Sequence, residues 1–106
     1  MMIRGDVYWI KLKDPDKRRP ALIITRDSAI PLLNQITVIP ITSTLRDTPS
    51  TVWLDEDDGM EGPCLINVDH IQTVSKERFG SYITHLDEEK LEEVFDAIKF
   101  VFGFGD

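Results

Sequence analysis

A run of cations stands directly before a buried strand. Residues 17–20 read KRRP and precede the apolar run ALIIT. Arg19 comes just before a proline, which biases its backbone towards an extended conformation. A guanidinium group is a rigid fork suited to phosphate oxygens. The stretch therefore indicates a site for an anionic ligand, and a solvated loop is the alternative interpretation.

A row of hydroxyl groups follows another strand. Residues 40–44 read PITST, so Pro40 removes a backbone donor and three hydroxyl side chains follow. Thr42 then comes after an expected bulge, where side chains are often redirected towards active sites. Ordinary capping of a strand end is the alternative interpretation.

Other chemistry lacks the required spacing. The acidic run LDEDDG fails as an EF-hand loop, because taking Gly59 as its glycine places Leu54 and Leu65 at ligand positions. His70, His85 and Cys64 have no zinc-ligand spacing, so no metal site and no cofactor are predicted. Cys64 lies in an apolar strand and is expected to be an inert core thiol. No phosphate-binding glycine loop and no nucleophile elbow occurs.

Size and composition fit one domain over residues 1–106. A single cysteine cannot form an internal disulfide, which favours a reducing, cytoplasmic setting. The polar start differs from a signal peptide, and no apolar run reaches the roughly 18 residues of a membrane helix. We therefore expect a cytoplasmic protein without a membrane partner.

The charge is distributed unevenly. The net charge is −7, but residues 1–46 hold eight cations and four anions, giving +4. Residues 47–106 hold the other four cations and fifteen anions, giving −11. This asymmetry favours one surface that attracts a polyanion, and ordinary solvated charge is the alternative.

Several short strands and one helix are predicted. The expected strands are Ile3–Leu12, Ala21–Thr25, Ile36–Ile41, Thr51–Leu54, Cys64–Val74 and Tyr82–His85. Lys13–Arg19 is expected to be a loop, with a helical turn possible in Asp27–Leu33 and in Ser75–Phe79. Pro40 is expected to lie at a sheet edge or a bulge.

The apolar spacing changes at residue 87. Asp87 is a predicted N-cap and Gly103 a predicted stop. Between them, apolar residues recur every three or four positions, at Leu91, Val94, Phe95, Ile98, Val101 and Phe102. The fold class is therefore mainly β with α: a small SH3-like β-barrel with a C-terminal amphipathic helix.

Five segments in this order resemble one known family. They are IRGDVYWIKL, RRPALIIT, ITVIPITST, HIQTVSKERF and ITHLDEEKLEEV. Over nearly its whole length the chain resembles the MazF/PemK toxins, of the CcdB-like superfamily, from bacterial type II toxin–antitoxin systems. The RGDVYW opening, the arginine–proline pair and the PITS stretch are the most recognisable pieces.

The resemblance implies an activity and partners. It implies a homodimeric, metal-independent and sequence-specific endoribonuclease, an mRNA interferase, that cuts single-stranded RNA. A cognate antitoxin would neutralise it, and operator DNA would bind only to the complex with the antitoxin. The family's catalytic arginine and threonine fall on Arg19 and Thr42.

The chemistry of RNA cleavage fits these residues. The RNA supplies its own nucleophile, the 2′-OH, so the protein needs only to position it and to stabilise the phosphorane. Arg19 would stabilise the developing charge, and Thr42 would bind a phosphate oxygen or orient the 2′-OH. Lys17 and Arg18 would hold flanking phosphates, and Ser43 would assist.

One departure from the family pattern concerns substrate binding. The family's usual QIRT is here His70–Thr73, so Gln72 replaces an arginine near the expected RNA groove. His70 and Gln72 are therefore included among the substrate-binding candidates. Two other functions stay open at this point: a catalytically inactive module that binds antitoxin or operator DNA, and a gyrase poison of the CcdB type. The gyrase poison acts through a C-terminal Trp-Gly-Ile, whereas this chain ends in Phe104-Gly105-Asp106.

Overall fold

In the part of the chain that the structure describes, the fold consists of seven strands and one α-helix. The computed structural model describes residues 1–12 and 17–104. The strands are β1 (Asp6–Lys11), β2 (Arg18–Ile23), β3 (Gln35–Thr42), β4 (Thr51–Leu54), β5 (Cys64–Asn67), β6 (Gln72–Ser75) and β7 (Phe79–His85), and helix α1 spans Glu88–Phe102. Short 3₁₀ helices occupy Ile30–Leu32, Glu56–Asp58, Val68–His70 and Lys76–Arg78.

The strands form one antiparallel sheet. Its order is β4-β5-β3-β2-β1-β7, and β6 pairs with the first half of β3. The β1–β7 register shifts next to Tyr8, and such irregularities bend a sheet. Within the described residues, the edge strands β4 and β7 do not pair with each other, so the hydrogen-bonded sheet does not close. The predicted class, mainly β with a C-terminal helix, is confirmed.

The central strands bury side chains on both faces. Val7, Leu22 and Ile39 belong to one apolar cluster, which packs against α1. The intervening residues, such as Ile10 and Ala21, belong to a second cluster on the opposite face. This explains the uninterrupted apolar run ALIIT, because a strand covered on both faces needs no polar alternation.

Strand β2 begins earlier than predicted. Lys13–Asp16, the first part of the expected loop, lie outside the described residues. Arg18 and Arg19, also expected in that loop, are instead paired with β1 opposite Lys11 and Ile10. The extended backbone favoured before Pro20 suits strand pairing, so the prediction of a loop was wrong for these two arginines.

The strand predicted over 64–74 is in fact two strands. The 3₁₀ helix Val68–His70 separates β5 from β6, and the Val68 N–H donates to the Ser50 carbonyl at 3.0 Å. β6 pairs with β3 as far as Val38, and β5 pairs with it from Ile41 onwards. Pro40 therefore lies where the hydrogen-bond ladder to β5 and β6 is interrupted, as its missing N–H donor requires. β3 pairs on both sides and is not an edge strand.

The first strand is shorter than predicted because residues 3–6 form a turn. Gly5 has a φ of +97°, and the Asp6 N–H donates to the Ile3 carbonyl at 3.1 Å. Asp6 is only 4% exposed, and its Oδ1 lies 2.8 Å from His85 Nδ1. This pair joins the start of β1 to the end of β7.

Helix α1 has the predicted ends. The Asp87 carboxylate accepts from the Lys90 N–H at 2.9 Å, and Gly103 ends the helix with a φ of +73°. Val94 and Ala97 are buried against the first apolar cluster. Phe102, predicted on the apolar face, is exposed and lies against Phe104. No described helix has the length and hydropathy needed to cross a membrane.

Candidate active site

Arg19 and Thr42 are brought to neighbouring positions by strand register. The last paired residues of β2 and β3 are Ala21 and Pro40, and continuing this register by two residues places Arg19 opposite Thr42. Opposite residues of antiparallel strands point to the same face. Both residues also line the same two cavities, so the two sequence motifs meet at one place.

Strand pairing positions the Arg19 backbone. Arg19 lies opposite Ile10 in β1, and its side chain is half-buried. Among the described residues, no carboxylate oxygen lies within 4.0 Å of its guanidinium group. The described surroundings thus leave this guanidinium available to an anionic ligand.

A local turn orients the Thr42 hydroxyl group. Thr42 ends β3 and pairs with Leu65 of β5. Its Oγ1 accepts a hydrogen bond from the Thr44 N–H at 3.1 Å. A hydroxyl group that accepts in this way keeps its own proton for donation, so Thr42 can donate to an oxygen of a bound ligand.

The first of the two cavities, which we call the apolar cavity, has a volume of about 490 Å³. Apolar side chains including Trp9, Met60 and Ile83 line it together with Lys17, Arg18 and Ser43. The Arg18 guanidinium group lies 5.7 Å from the centre of the Trp9 ring, a cation–π arrangement. A Cβ at Gly80 would come within 3.0 Å of Arg18 Nη2, so the glycine leaves room for this guanidinium.

The second cavity, the polar cavity, shares Arg19 and Thr42 with the first and measures about 540 Å³. It contains Arg46, Asn67, Asp69, His70 and Gln72. Asn67 Nδ2 lies 3.4 Å from His70 Nδ1, and Gln72 Nε2 donates to the His70 carbonyl at 3.2 Å. These contacts link His70 and Gln72 to one another through the main chain.

All seven sequence-predicted site residues line this pair of cavities. Lys17, Arg18 and Ser43 line the apolar cavity, His70 and Gln72 the polar cavity, and Arg19 and Thr42 both. Four cations (Lys17, Arg18, Arg19, Arg46) and two carboxylates (Glu61, Asp69) are among the lining residues, a balance of +2. The site is therefore positive in a chain whose net charge is −7.

Sequence reasoning missed Trp9, Arg46 and Asn67 in these walls. Trp9 alternates with buried strand residues and looks like core, while Arg46 stands in a loop without a motif. The pairing of β1 with β2, which places Trp9 opposite Pro20, was the signal that could have found the tryptophan.

Cys64 lies in the wall of the apolar cavity but is only 8% exposed. Burial, and then the negative charges of Asp58 and Asp55, raise the pKa of its thiol. The thiol is consequently protonated at neutral pH and is a poor nucleophile, which agrees with a packing role. Within residues 1–12 and 17–104, no three His, Cys, Asp or Glu side chains cluster as metal ligands would.

The sequence of this chain matches one group of toxins. Residues 3–102 match the family described as PemK-like, MazF-like toxin of type II toxin-antitoxin system. "Endoribonuclease MazF3" of Mycobacterium tuberculosis is 34% identical over 89 residues, which cover 84% of this chain and 86% of that protein.

Solved structures have the same fold. "Mycobacterium tuberculosis toxin MazF-mt6" superposes with a TM-score of 0.85 at 32% identity, covering 92% of this chain and 96% of that one. "Endoribonuclease in complex with its cognate antitoxin from Mycobacterial species" superposes with a TM-score of 0.88 at 23% identity. The superposition covers 100% of this chain and 99% of that one. At 23% identity, it shows a shared fold.

Proposed function

The chain belongs to the family of PemK-like, MazF-like toxins of type II toxin–antitoxin systems, and on this premise we propose that it is a metal-independent endoribonuclease. Its substrate is single-stranded RNA, cleaved at a short sequence in the cytoplasm. The observation that carries the proposal is the meeting of Arg19 and Thr42 between two cavities with a positive lining. The endoribonuclease name of the M. tuberculosis relative supports the same activity.

The proposed reaction uses the nucleophile of the substrate. The 2′-oxygen of RNA attacks the adjacent phosphorus, and the bond from phosphorus to the 5′-oxygen breaks. The 2′-OH loses its proton, the departing 5′-oxygen gains one, and the products carry a 2′,3′-cyclic phosphate and a 5′-OH. DNA has no 2′-OH and is not cleaved.

Arg19 and Thr42 stabilise the charge that develops on the phosphorane. The Arg19 guanidinium group binds the non-bridging phosphate oxygens in its fork. Its role is electrostatic, because arginine holds its proton up to a pH of about 12. The Thr42 hydroxyl group donates to the phosphate, since its oxygen is already fixed by the Thr44 N–H.

The cavities hold the nucleotides on either side of the cut. Lys17 and Arg18 contact a flanking phosphate at the apolar cavity, with Ser43 beside them. His70 and Gln72 present polar groups to the RNA in the polar cavity. Holding the chain on both sides keeps the 2′-oxygen in line with the scissile bond.

The proposal is tested by incubating purified protein with single-stranded RNA in EDTA. We expect cleavage by the wild type, 5′-OH and cyclic phosphate ends, and protection of an RNA with one 2′-deoxy nucleotide at the cut. Arg19→Ala should lose activity, while Arg26→Ala, an exposed arginine outside both cavities, should keep it. Loss of cleavage in EDTA, or full activity of Arg19→Ala, would refute the mechanism.

We also propose that the protein is a homodimer neutralised by a cognate antitoxin. The antitoxin complex of a structural relative supports such a partner. An acidic antitoxin segment would bind over Lys17–Arg19, where the site is positive. Mass measurement in solution tests the dimer. If Lys17→Ala with Arg18→Ala leaves antitoxin affinity unchanged, this location for the antitoxin is wrong.

A further inference from the structure

Trp53 lies in a lateral row with the catalytic threonine. In the sheet, Trp53 of β4 pairs with Leu65 of β5, and Leu65 pairs with Thr42 of β3. Directly opposite residues share a face, so these three side chains lie on the same side of the sheet. With strands about 4.8 Å apart, the Trp53 backbone lies roughly 10 Å from that of Thr42.

A third cavity opens over this row. It measures about 580 Å³, and Trp53, Leu45 and Arg46 are among its walls. Arg46, Thr51 and Leu65 also line the polar cavity. An extended ligand that contacts Arg19 and Thr42 and fills the polar cavity would therefore reach Trp53 in the adjoining cavity.

Hydrogen bonds hold Trp53 in place while its ring stays accessible. The indole Nε1–H donates to Asp55 Oδ2 at 3.0 Å, and Lys90 Nζ donates to the Trp53 carbonyl at 2.9 Å. The residue is nevertheless 45% exposed. A fixed, exposed aromatic ring loses little entropy when a flat ligand stacks on it.

We propose that Trp53 is a stacking platform for a nucleobase that flanks the cut, with Arg46 contacting the phosphate that leads to it. The proposal rests on the proposed RNA substrate and adds a subsite to it. Stacking on an aromatic ring accepts any base, because every base has a π-face. Asp47 and Glu93 also line this cavity and repel further phosphates, so the base and not the backbone enters it.

Binding of an uncleavable RNA tests this subsite directly. The probe is single-stranded RNA containing a mapped cut site, with a 2′-deoxy nucleotide at that linkage. We expect Trp53→Ala to weaken its binding about 5- to 150-fold, because base–aromatic stacking contributes roughly 1–3 kcal/mol. Trp53→Phe should keep most of the affinity. Phe100→Ala removes an exposed aromatic side chain that lines none of the three cavities, and it should bind like the wild type.

Two further readouts separate stacking from a general loss of structure. In a Trp9→Phe background, where Trp53 is the remaining tryptophan, RNA should quench its fluorescence. In steady-state cleavage, Trp53→Ala should raise KM by a larger factor than it lowers kcat, since the flanking base contributes mainly to binding.

The outcomes distinguish the subsite from the activity. If the wild type cleaves RNA but Trp53→Ala binds it equally well, or Trp53 fluorescence does not change, the subsite is refuted and the nuclease assignment stands. If the wild type cleaves no RNA, the proposed function fails. If Trp53→Ala loses affinity for the antitoxin but keeps its affinity for RNA, the surface binds protein and the proposal is overturned.

Discussion

Thr42 lies opposite Arg19 when the β2–β3 register is continued by two residues past Ala21 and Pro40. The two side chains share a face and two cavities, although they are 23 positions apart in the sequence. Pro40 lies at an interruption of the ladder beside them, where β3 changes its partner from β6 to β5. Beyond this interruption, the end of β3 pairs with β5, and Thr42 there lines both cavities.

The hydroxyl group of Thr42 can be tested by near-isosteric replacement. Thr42→Val removes both the donor to the phosphate and the acceptor for the Thr44 N–H. We expect kcat for RNA cleavage to fall about 10²–10³-fold, as when an oxyanion-hole donor is lost. Thr42→Ser keeps the hydroxyl group and should restore most of the activity.

Thr37→Val is the matched control for this change. Thr37 lies on the same strand, lines none of the described cavities, and bonds to Thr73 Oγ1 at 3.1 Å. Its kcat should stay at the wild-type value. A Thr42→Val protein with unreduced kcat would remove the hydroxyl group from the mechanism.

Arg18 should contribute to RNA affinity through a phosphate. If Arg18→Ala removes one phosphate contact, the slope of log K against log salt should become shallower by about 0.7, the value for a single strand. The loss should be similar for different RNA sequences, because a phosphate contact does not read bases. Arg26→Ala should leave the slope unchanged, and an unchanged slope in Arg18→Ala would show that Arg18 makes no such contact.

The backbone at Gly59 should tolerate no side chain. Gly59 has a φ of +93°, and an added Cβ would clash with Thr84 Oγ1, which itself donates to the Asp58 carbonyl at 2.9 Å. Gly59→Ala should therefore lower the free energy of unfolding by about 1–3 kcal/mol or more, measured by urea denaturation.

Gly62→Ala is the control for Gly59→Ala. A Cβ at Gly62 would meet no atom within 4 Å, and its φ is not positive. The free energy of unfolding should change by less than about 0.5 kcal/mol. Equal losses in the two variants would contradict the steric argument.

The strongest local patterns were predictable from the sequence. The period of α1, with Asp87 and Gly103 at its ends, follows from local chemistry and is confirmed. The two-sided burial of β2 follows from the run ALIIT. The separation of β5 from β6 could not be predicted, because the 3₁₀ helix at Val68–His70 is fixed by long-range contacts such as the bond to Ser50.

The site was predictable in its motifs but not in its extent. Arg19 and Thr42 carry a chemical signature, and the resemblance to a family joined them. Trp53 has no such signature, since an aromatic residue in the strand TVWL is typical of ordinary sheet packing. Only the register of β4, β5 and β3 shows that it shares a face with Thr42.

The carboxylate of Asp55 should report the hydrogen bond that holds the Trp53 ring. Bonds from the Trp53 indole and from the Asp57 N–H, at 3.0 and 2.9 Å, lower the pKa of Asp55 from its ordinary 3.8. Because the pKa of Asp55 is lower in the folded state, its carboxylate stabilises the fold at pH values above the pKa of the unfolded chain. This contribution is lost as the pH falls through the pKa of the folded state. Trp53→Phe deletes the first donor, so we expect the pKa of Asp55 to rise towards 3.8 in a carbon-13 NMR titration. Phe100→Ala should leave it unchanged. If the pKa in Trp53→Phe equals that of the wild type, the indole is not held by Asp55 and the ring loses its argued rigidity.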